Sequence, residues 1–489
     1  MNTLKINLFR STIIIVFLLT FSISHAFSQN LLSKKIDKIV KAEVKYDLFS
    51  GVILVAKDGE VIYSKAFGEA NKEEHLLNTL KTRFNISSIQ KSFTATLIMQ
   101  LYQDGLLNLD DPLNKFFPEC PFKTADQIQI KNLLNHTSGL GDYRSHERYQ
   151  EEADKYKELA DVLPLVYELP PECSPNEKFI YSNTGYLLLK IIVEKIEKKK
   201  FAEIVKQRIF DPLGMNYTIQ FKSGDLVTKK AYGHVLSAKN TGYVKAVGEP
   251  AAYTGGGIYT TVGDLLKFDQ ALYSEELLTE ENKKLMWTPI NPSRFYGFGW
   301  IVVPFGGTTV IYHNGGSGGF NSEFRRYPEK AYTIIVLSNY DGGASKLTNK
   351  IDCMLLEQPY MITTEAEAYC RKGRISRMQN KLSVAEEYYY AALDLFKHGE
   401  IDKIFQKEVE NGMNSIGYEY VKTQDFTKAI DIFKTIVENF PESANAFDSL
   451  AEAYMKNGQK NLAIKNYKKS LELNPKNTNA KEMLDKLKN

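Results

Sequence analysis

At 489 residues the chain is longer than one hydrophobic core organises, and at about 100–200 residues per domain two or three domains are expected. Its 43% hydrophobic and 25% charged residues belong to a folded chain and exclude a wholly disordered one. The formal charge of +3 falls to +1 without Lys5 and Arg10, which leaves no basic field for nucleic acid.

Residues 1–28 read as an export signal. Lys5 and Arg10 form a basic start, Ser11 to Ser24 is apolar, and Ala26-Phe27-Ser28 offers small residues for cleavage. The apolar stretch is shorter than the ~20 residues that span a bilayer, which favours removal over retention as an anchor. No cysteine lies near the cleavage site to carry a lipid. A periplasmic or secreted protein is expected.

Gly51–Lys57 and Val61–Ala66 are β-rich runs joined by Asp58-Gly59, a hairpin signal. Similar runs return at Gly299–Val303, Thr308–Tyr312, Phe320–Tyr327 and Tyr332–Ser338, after a mostly helical stretch from about Ile89 to Leu272. Strands at both ends with helices between imply an α+β domain, its one antiparallel sheet closed by distant parts of the chain.

Ser88-Ile89-Gln90-Lys91 is the leading chemical candidate. On a helix, residues three apart share a face, so the lysine amine lies beside the serine hydroxyl. An amine in a partly desolvated place can take the hydroxyl proton. The helical run Phe93 to Leu101 follows, which puts Ser88 at a helix N-terminus. With 28 serines and 51 lysines, chance supplies about three such spacings, so the context has to carry the assignment.

That context is Phe84 to Ala95 (FNISSIQKSFTA), which resembles the nucleophile motif of the class C β-lactamase, D-alanyl-D-alanine peptidase and serine esterase superfamily. The family's second element is Tyr-x-Asn. Both Tyr181-Ser182-Asn183 and Tyr312-His313-Asn314 fit it, but only the first follows a Phe and precedes a helix (Gly185 to Ile196). The resemblance implies a proton relay for Tyr181, which needs nearby cations to stabilise its ionised form, and substrate binding for Asn183. The third element is Lys-Thr-Gly or His-x-Gly on an edge strand, and His313-Asn314-Gly315-Gly316 is similar to the latter. The resemblance then implies substrate contact by His313, Gly315 and Gly316, with the Ser88 and Gly316 N–H groups as oxyanion hole.

Leu133–Leu140, Asp211–Met215 and Thr254–Thr261 match structural motifs of the same family, so His136 is expected to be a structural histidine. The glycine run at Thr254 lacks the Gly-Lys-Ser/Thr of a phosphate loop. The resemblance spans about Ile36–Asn339. It implies a β-lactamase/transpeptidase-like fold, with helices flanking the sheet and an inserted helical region, and acyl transfer without a cofactor.

Three residues depart from the family pattern. His313 replaces a lysine and, with an ordinary pKa near ~6.5, gives a weaker anchor for a substrate carboxylate. Ser87 and Asn176 stand where glycines are usual. These differences favour esters or D-amino-acid-containing peptides over β-lactams as substrates. A class C-like β-lactamase, or a penicillin-binding or cell-wall peptide receptor that does not hydrolyse, are the alternatives.

The four cysteines (Cys120, Cys173, Cys353 and Cys370) form no C-x-x-C, and no H-E-x-x-H occurs, so no metal is expected. Buried free thiols are expected, with a Cys353–Cys370 bridge open on spacing.

Beyond about Glu357 the strand signals end and a 34-residue period appears. Ile416, Tyr420, Ala429, Ile430, Phe433 and Pro441 recur as Leu450, Tyr454, Ala463, Ile464, Tyr467 and Pro475. Alanines allow close helix approach, aromatics fill the gap and proline ends the second helix. This resembles the tetratricopeptide repeat, which implies an all-α tail and a protein or peptide partner. The divisions expected are 1–28 signal, 29–357 hydrolase, 358–412 helical linker or degenerate repeat, and 413–489 repeats. Two repeats fall short of the ~3 that usually stack stably, so Thr364–His398 is expected to help.

Overall fold

The structure is a computed structural model and describes residues 29–152, 155–221, 227–239, 242–246, 257–397 and 403–488. The expected export signal, and Thr254 to Gly256 of the glycine run, lie outside them. No helix among the described residues is long and apolar enough to cross a membrane. The chain divides into two compact units. One runs to Val235 and resumes from Tyr243 to Ile362; the other takes in a short segment from Leu236 and continues from Thr363.

The first unit is built on one antiparallel sheet drawn from both ends of its sequence. Its strands are β1 (Gly51–Lys57), β2 (Glu60–Phe67), β3 (Ile301–Phe305), β4 (Thr308–Ser317), β5 (Phe320–Tyr327) and β6 (Tyr332–Ser338). Their order across the sheet is β3-β4-β5-β6-β1-β2. Residues Asp58 (φ 51°) and Gly59 (φ 78°) both take left-handed backbone in the β1–β2 turn, the twist that a two-residue hairpin needs. The closure that joins the two ends is the β1–β6 ladder, Gly51 opposite Ser338 through Lys57 opposite Tyr332.

Strand alternation gives the sheet two buried faces. Ile53, Val55, Ile334 and Val336 face a core shared with Ile36 and Ile39 of α1 (29–45) and Leu347 and Ile351 of a helix over Ser345–Leu355. Val52, Leu54, Ile335 and Leu337 face the larger core, which holds Phe93 and Leu97 of α2 (Gln90–Gln103). Every residue of α2 from Gln90 to Leu101 is buried, so this helix is packed on all sides. Phe93 stacks on Phe268 at 4.2 Å. The helix start is tied down where the Ser92 hydroxyl donates to the Gly299 carbonyl at 2.9 Å. Gly299 is required there, since a Cβ would sit 2.7 Å from the Lys91 carbonyl oxygen.

All four cysteines are unpaired, and only Cys370 is fully buried; the other three keep partial exposure. The expectation of buried thiols is corrected on that point.

The second unit is helical throughout its described residues from Glu365 on. Its helices span Glu365–Met378, Leu382–Lys397, Lys403–Lys422, Phe426–Asn439, Ala444–Lys456, Lys460–Leu473 and Thr478–Lys488. The 34-residue pattern falls on one core: Ile416, Ala429, Phe433, Leu450, Ala463 and Tyr467 are all inside it. Pro441 and Pro475 follow the ends of the second helix of each pair, where a missing N–H does no harm. Met413 lies inside the Lys403–Lys422 helix. Tyr389 of the preceding pair belongs to the same core. It is pressed so closely that a Cβ on Gly412 would meet its ring at 2.1 Å.

Candidate active site

Ser88 sits in a tight turn between a two-residue strand and α2. The strand, Phe84–Asn85, pairs with Ile258–Thr260, and the Ile86 N–H donates to the Ile258 carbonyl at 3.1 Å. Ser87–Ile89 then form one 3₁₀ turn before α2 begins at Gln90. Ser87 has φ +47°, a left-handed conformation, and its N–H donates to the Asn85 side chain at 2.8 Å. The glycine usual at this position would take that backbone with less strain. Asn176 stands at φ +64° and its side-chain oxygen accepts from Asn132 at 2.8 Å, so both departures from glycine sit on left-handed backbone.

The geometry brings Ser88, Lys91, Tyr181 and Asn183 together. The Lys91 amine lies 3.1 Å from the Ser88 hydroxyl and donates to the Asn183 side-chain oxygen at 2.9 Å. It also lies 4.9 Å from the centre of the Tyr181 ring. Lys91 is 2% exposed, and burial pulls its pKa down to about 7, the Asp142 carboxylate opposing and the Arg144 guanidinium reinforcing the shift. At neutral pH an appreciable share of this amine is therefore uncharged and able to accept a proton.

Tyr181 keeps 39% exposure as a residue, yet burial of its phenol drives its pKa up to about 12 against a hydrogen bond with Ser88. The phenol stays protonated. The expectation that nearby cations stabilise an ionised Tyr181 is corrected: its neighbour Lys91 is itself held near neutrality. Tyr181 can donate a proton and Lys91 can accept one.

His136 sets the position of Tyr181. Its carbonyl accepts the Ile180 N–H at 2.8 Å, its Nδ1 accepts the Ser182 N–H at 3.1 Å, and its ring lies 4.3 Å from the Tyr181 ring. Burial and the neighbouring Lys91 hold its pKa well below the ordinary value, so it is a neutral structural group. Helix α3 (Asn183–Glu197) starts at once after this strap and carries Asn183 on its first turn.

The third element forms the continuation of β4, not a turn. The strand runs unbroken through His313-Asn314-Gly315-Gly316-Ser317. It pairs with β3 only from Thr308 to Tyr312, while its β5 ladder extends to Ser317. Among the described residues, the stretch from His313 on therefore has no strand partner on one edge, next to the Ser88 turn. Gly315 abuts that turn: a Cβ there would lie 2.1 Å from the Ile86 carbonyl oxygen and 3.0 Å from the Ser88 nitrogen. At Gly316 the nearest atom to a Cβ is 3.7 Å away, which leaves room beside the strand. Tyr312 of the second Tyr-x-Asn packs with the opposite core, among the residues lying against Ile36 and Val55.

His313 departs from its expected role. It is 1% exposed, its Nδ1–H donates to the Asn314 carbonyl at 2.6 Å, and its Nε2 accepts from the Tyr296 hydroxyl at 2.8 Å. Burial and the nearby Lys91 lower its pKa to about 3. A buried imidazole with both nitrogens engaged is no cationic anchor, even a weak one.

Three neighbours of the site carried no sequence signal. Asp142 lies 41 residues before Asn183, yet accepts from its side-chain amide at 2.6 Å. Tyr296 reaches His313 from the loop before β3. Lys190 is buried two turns along α3 from Asn183, donates to Gln90 at 2.7 Å, and has its pKa lowered to about 7 by burial and by Lys91. No cluster suited to a metal ion occurs among the described residues.

The model of the Beta-lactamase family matches residues 36–353, and that of the tetratricopeptide repeat matches residues 444–477. Penicillin-binding protein 4* of Bacillus subtilis (strain 168) is 30% identical over 335 residues, 64% of this chain and 73% of that protein. Teichoic acid D-alanine hydrolase of Staphylococcus aureus (strain NCTC 8325 / PS 47) is 26% identical over 332 residues, covering 67% and 79%. The crystal structure of D-amino acid amidase from Ochrobactrum anthropi SV3, complexed with L-phenylalanine amide, superposes with a TM-score of 0.58 at 25% identity. It covers 68% of this chain and 99% of that one.

Proposed function

We propose, from the premise that this chain belongs to the Beta-lactamase family and carries a tetratricopeptide repeat in its C-terminal part, that it is an exported serine hydrolase cleaving D-aminoacyl esters or amides through an acyl-enzyme on Ser88. One observation carries the reading: a buried lysine held near neutrality, 3.1 Å from a half-buried serine hydroxyl at the start of a helix.

The steps follow from that pair. Lys91 takes the Ser88 proton as the oxygen attacks the substrate carbonyl, and positioned base catalysis of this kind is worth about 10²–10⁴-fold. The Ser88 N–H and the Gly316 N–H receive the oxyanion. Tyr181 gives its proton to the departing oxygen or nitrogen and regains one from Lys91. Water then attacks the Ser88 ester, its proton passes back through the same groups, and the acid leaves with Ser88 restored.

The substrate class rests on two supports. With His313 neutral, the third element offers no fixed charge for a carboxylate, which disfavours β-lactams relative to neutral esters and amides. Two relatives are a D-alanine hydrolase and a D-amino acid amidase by name. The helical tail serves a protein or peptide partner, and export follows from the residues before Gln29.

The test is turnover by the full chain and by Ser88→Ala on a panel of chromogenic esters, D-amino-acid amides and β-lactams. Multiple turnover on the first two classes, abolished in the variant, is the expected outcome. Single acylation without turnover would mark a receptor instead, and faster turnover of β-lactams would mark a β-lactamase.

A further inference from the structure

Asp142 immediately precedes a short turn (Tyr143–Ser145 in 3₁₀ geometry), and one of its oxygens caps that turn by accepting the Arg144 N–H at 3.0 Å. The other oxygen accepts from the Asn183 side-chain nitrogen at 2.6 Å and from the Asn183 N–H, less closely, at 3.4 Å. Beyond Asn183 the chain of hydrogen bonds continues through its oxygen to Lys91 at 2.9 Å, and from Lys91 to Ser88 at 3.1 Å.

A side-chain amide is nearly symmetric in shape, and only its partners decide which end faces which way. An ionised carboxylate only accepts, so it selects the NH₂ end and leaves the oxygen for Lys91. That oxygen engages one N–H of the amine, which leaves the lone pair of the neutral amine free to turn toward the Ser88 proton. Were the amide reversed, its NH₂ would compete for that same lone pair.

We infer that Asp142 is a positioning residue for the acylation of Ser88, holding the Asn183 amide oxygen against the Lys91 amine. The inference rests on the acylation reading above and adds to it a residue that touches neither substrate nor nucleophile. The carboxylate also acts through space. Burial drives the Lys91 pKa down, and the Asp142 carboxylate pulls it back up, while Arg144 pushes with burial. The other titratable groups around Lys91 are Tyr181 just before α3, Tyr186 and Lys190 along it, His136 on its loop and His313 on β4, and burial keeps the Tyr186 phenol protonated. Tyr181 is neutral at pH 7, both histidines are held neutral by burial, and Lys190 feels Lys91 as a like charge. Asp142 is thus the nearby anion that keeps Lys91 from titrating lower still.

The experiment compares the full chain with Asp142→Asn and Asp142→Glu, using an active-site fluorophosphonate for Ser88 acylation from pH 5 to 9. Selectively ¹⁵N-labelled lysine, observed by NMR, gives the Lys91 titration separately. With Asp142→Asn the acceptor-only neighbour and its charge are both gone. Acylation at pH 8 should fall by about tenfold to hundredfold, and the Lys91 titration should move to lower pH by at least half a unit. Asp142→Glu, which keeps both properties, should restore the titration and most of the rate.

The inference is overturned if Asp142→Asn acylates within twofold of the parent, or if the Lys91 titration stays or rises. It is equally overturned if Glu and Asn variants lose the same activity in step with the same loss of melting temperature. A parent chain that never acylates at Ser88 would defeat the hydrolase reading alone, since the lysine titration still judges Asp142.

Discussion

His313 and Tyr296 are joined by a 2.8 Å hydrogen bond in which the phenol hydroxyl donates to the imidazole Nε2, and the histidine spends its own proton on the Asn314 carbonyl. The ring is therefore fixed as a neutral acceptor beneath the strand edge. Its folded pKa of about 3 lies below the ordinary 6.5, so between these values the unfolded chain binds a proton that the folded chain does not. Stability is full above pH 6.5 and falls as pH drops through that window. By NMR, the His313 ring protons should show no titration between pH 5 and 8. His313→Lys should lower the melting temperature, because a buried unpaired cation costs about 2 kcal/mol or more. An imidazole titrating near pH 6.5 would mean the ring is exposed to substrate after all.

Gly315 and Gly316 differ in the space around them, and the difference makes a paired prediction. A methyl group at Gly315 would collide with the Ile86 carbonyl, whereas Gly316 has nothing closer than 3.7 Å. Gly315→Ala should displace the Ser88 turn, costing about 1–3 kcal/mol of stability together with acylation. Gly316→Ala should melt normally and lose turnover, since the added methyl occupies space that a substrate needs. Equal melting temperatures for the two variants would contradict this account of the strand edge.

Ser87 and Asn176 hold left-handed backbone without being glycine. Replacing either by glycine should leave stability within about 1 kcal/mol, backbone strain relieved offsetting the extra freedom of the unfolded chain. Ser87→Val should lose more, because a β-branched side chain resists positive φ. Thermal melts of the three variants make the comparison; a Val variant as stable as the parent would show that this backbone is not held.

Much of the architecture was legible because the signals were local and repeated. The Asp58-Gly59 turn marked the first hairpin, and β-rich runs at both ends of a mostly helical stretch implied one sheet closed by distant parts of the chain. The tail was readable because its alanines and aromatics recur at 34 residues on core positions. Ser88 and Lys91 share a helical spacing, and Tyr181 and Asn183 share a tripeptide. What escaped were properties that arise only from long-range packing. The neutrality of His313 comes from burial and from Lys91, a residue far away in the chain, and Asp142 meets Asn183 across 41 residues with no periodicity linking them. The protonated state of Tyr181 belongs to the same class, since a phenol's burial cannot be read from its neighbours in sequence.

The tail should depend on the helix pair before its two clear repeats. Tyr389 is enclosed by Gly373 and Gly412, with a Cβ on Gly412 placed 2.1 Å from its ring. A fragment from Met413 on should be poorly helical by circular dichroism, and one from Thr363 on should melt cooperatively. Gly412→Ala should lower that melting temperature by several degrees, as overpacking costs about 1–3 kcal/mol. Truncation after Ile362 should leave ester hydrolysis per folded molecule within a few-fold of the full chain. A folded but inactive truncation would mean that the tail helps to build the catalytic site.

The most direct measurement is the pH-dependent rate at which a fluorophosphonate labels the full chain, with the modified residue located by mass spectrometry. A single label should appear on Ser88, the only serine here followed three residues later by lysine. Its rate should rise with pH through about 7, because protonated Lys91 cannot accept the Ser88 proton and the neutral amine can. Lys91→Ala should slow it by about 10²–10⁴-fold without unfolding the protein. Labelling elsewhere, undiminished labelling of Ser88→Ala, or a rate indifferent to pH between 6 and 8 would contradict the account.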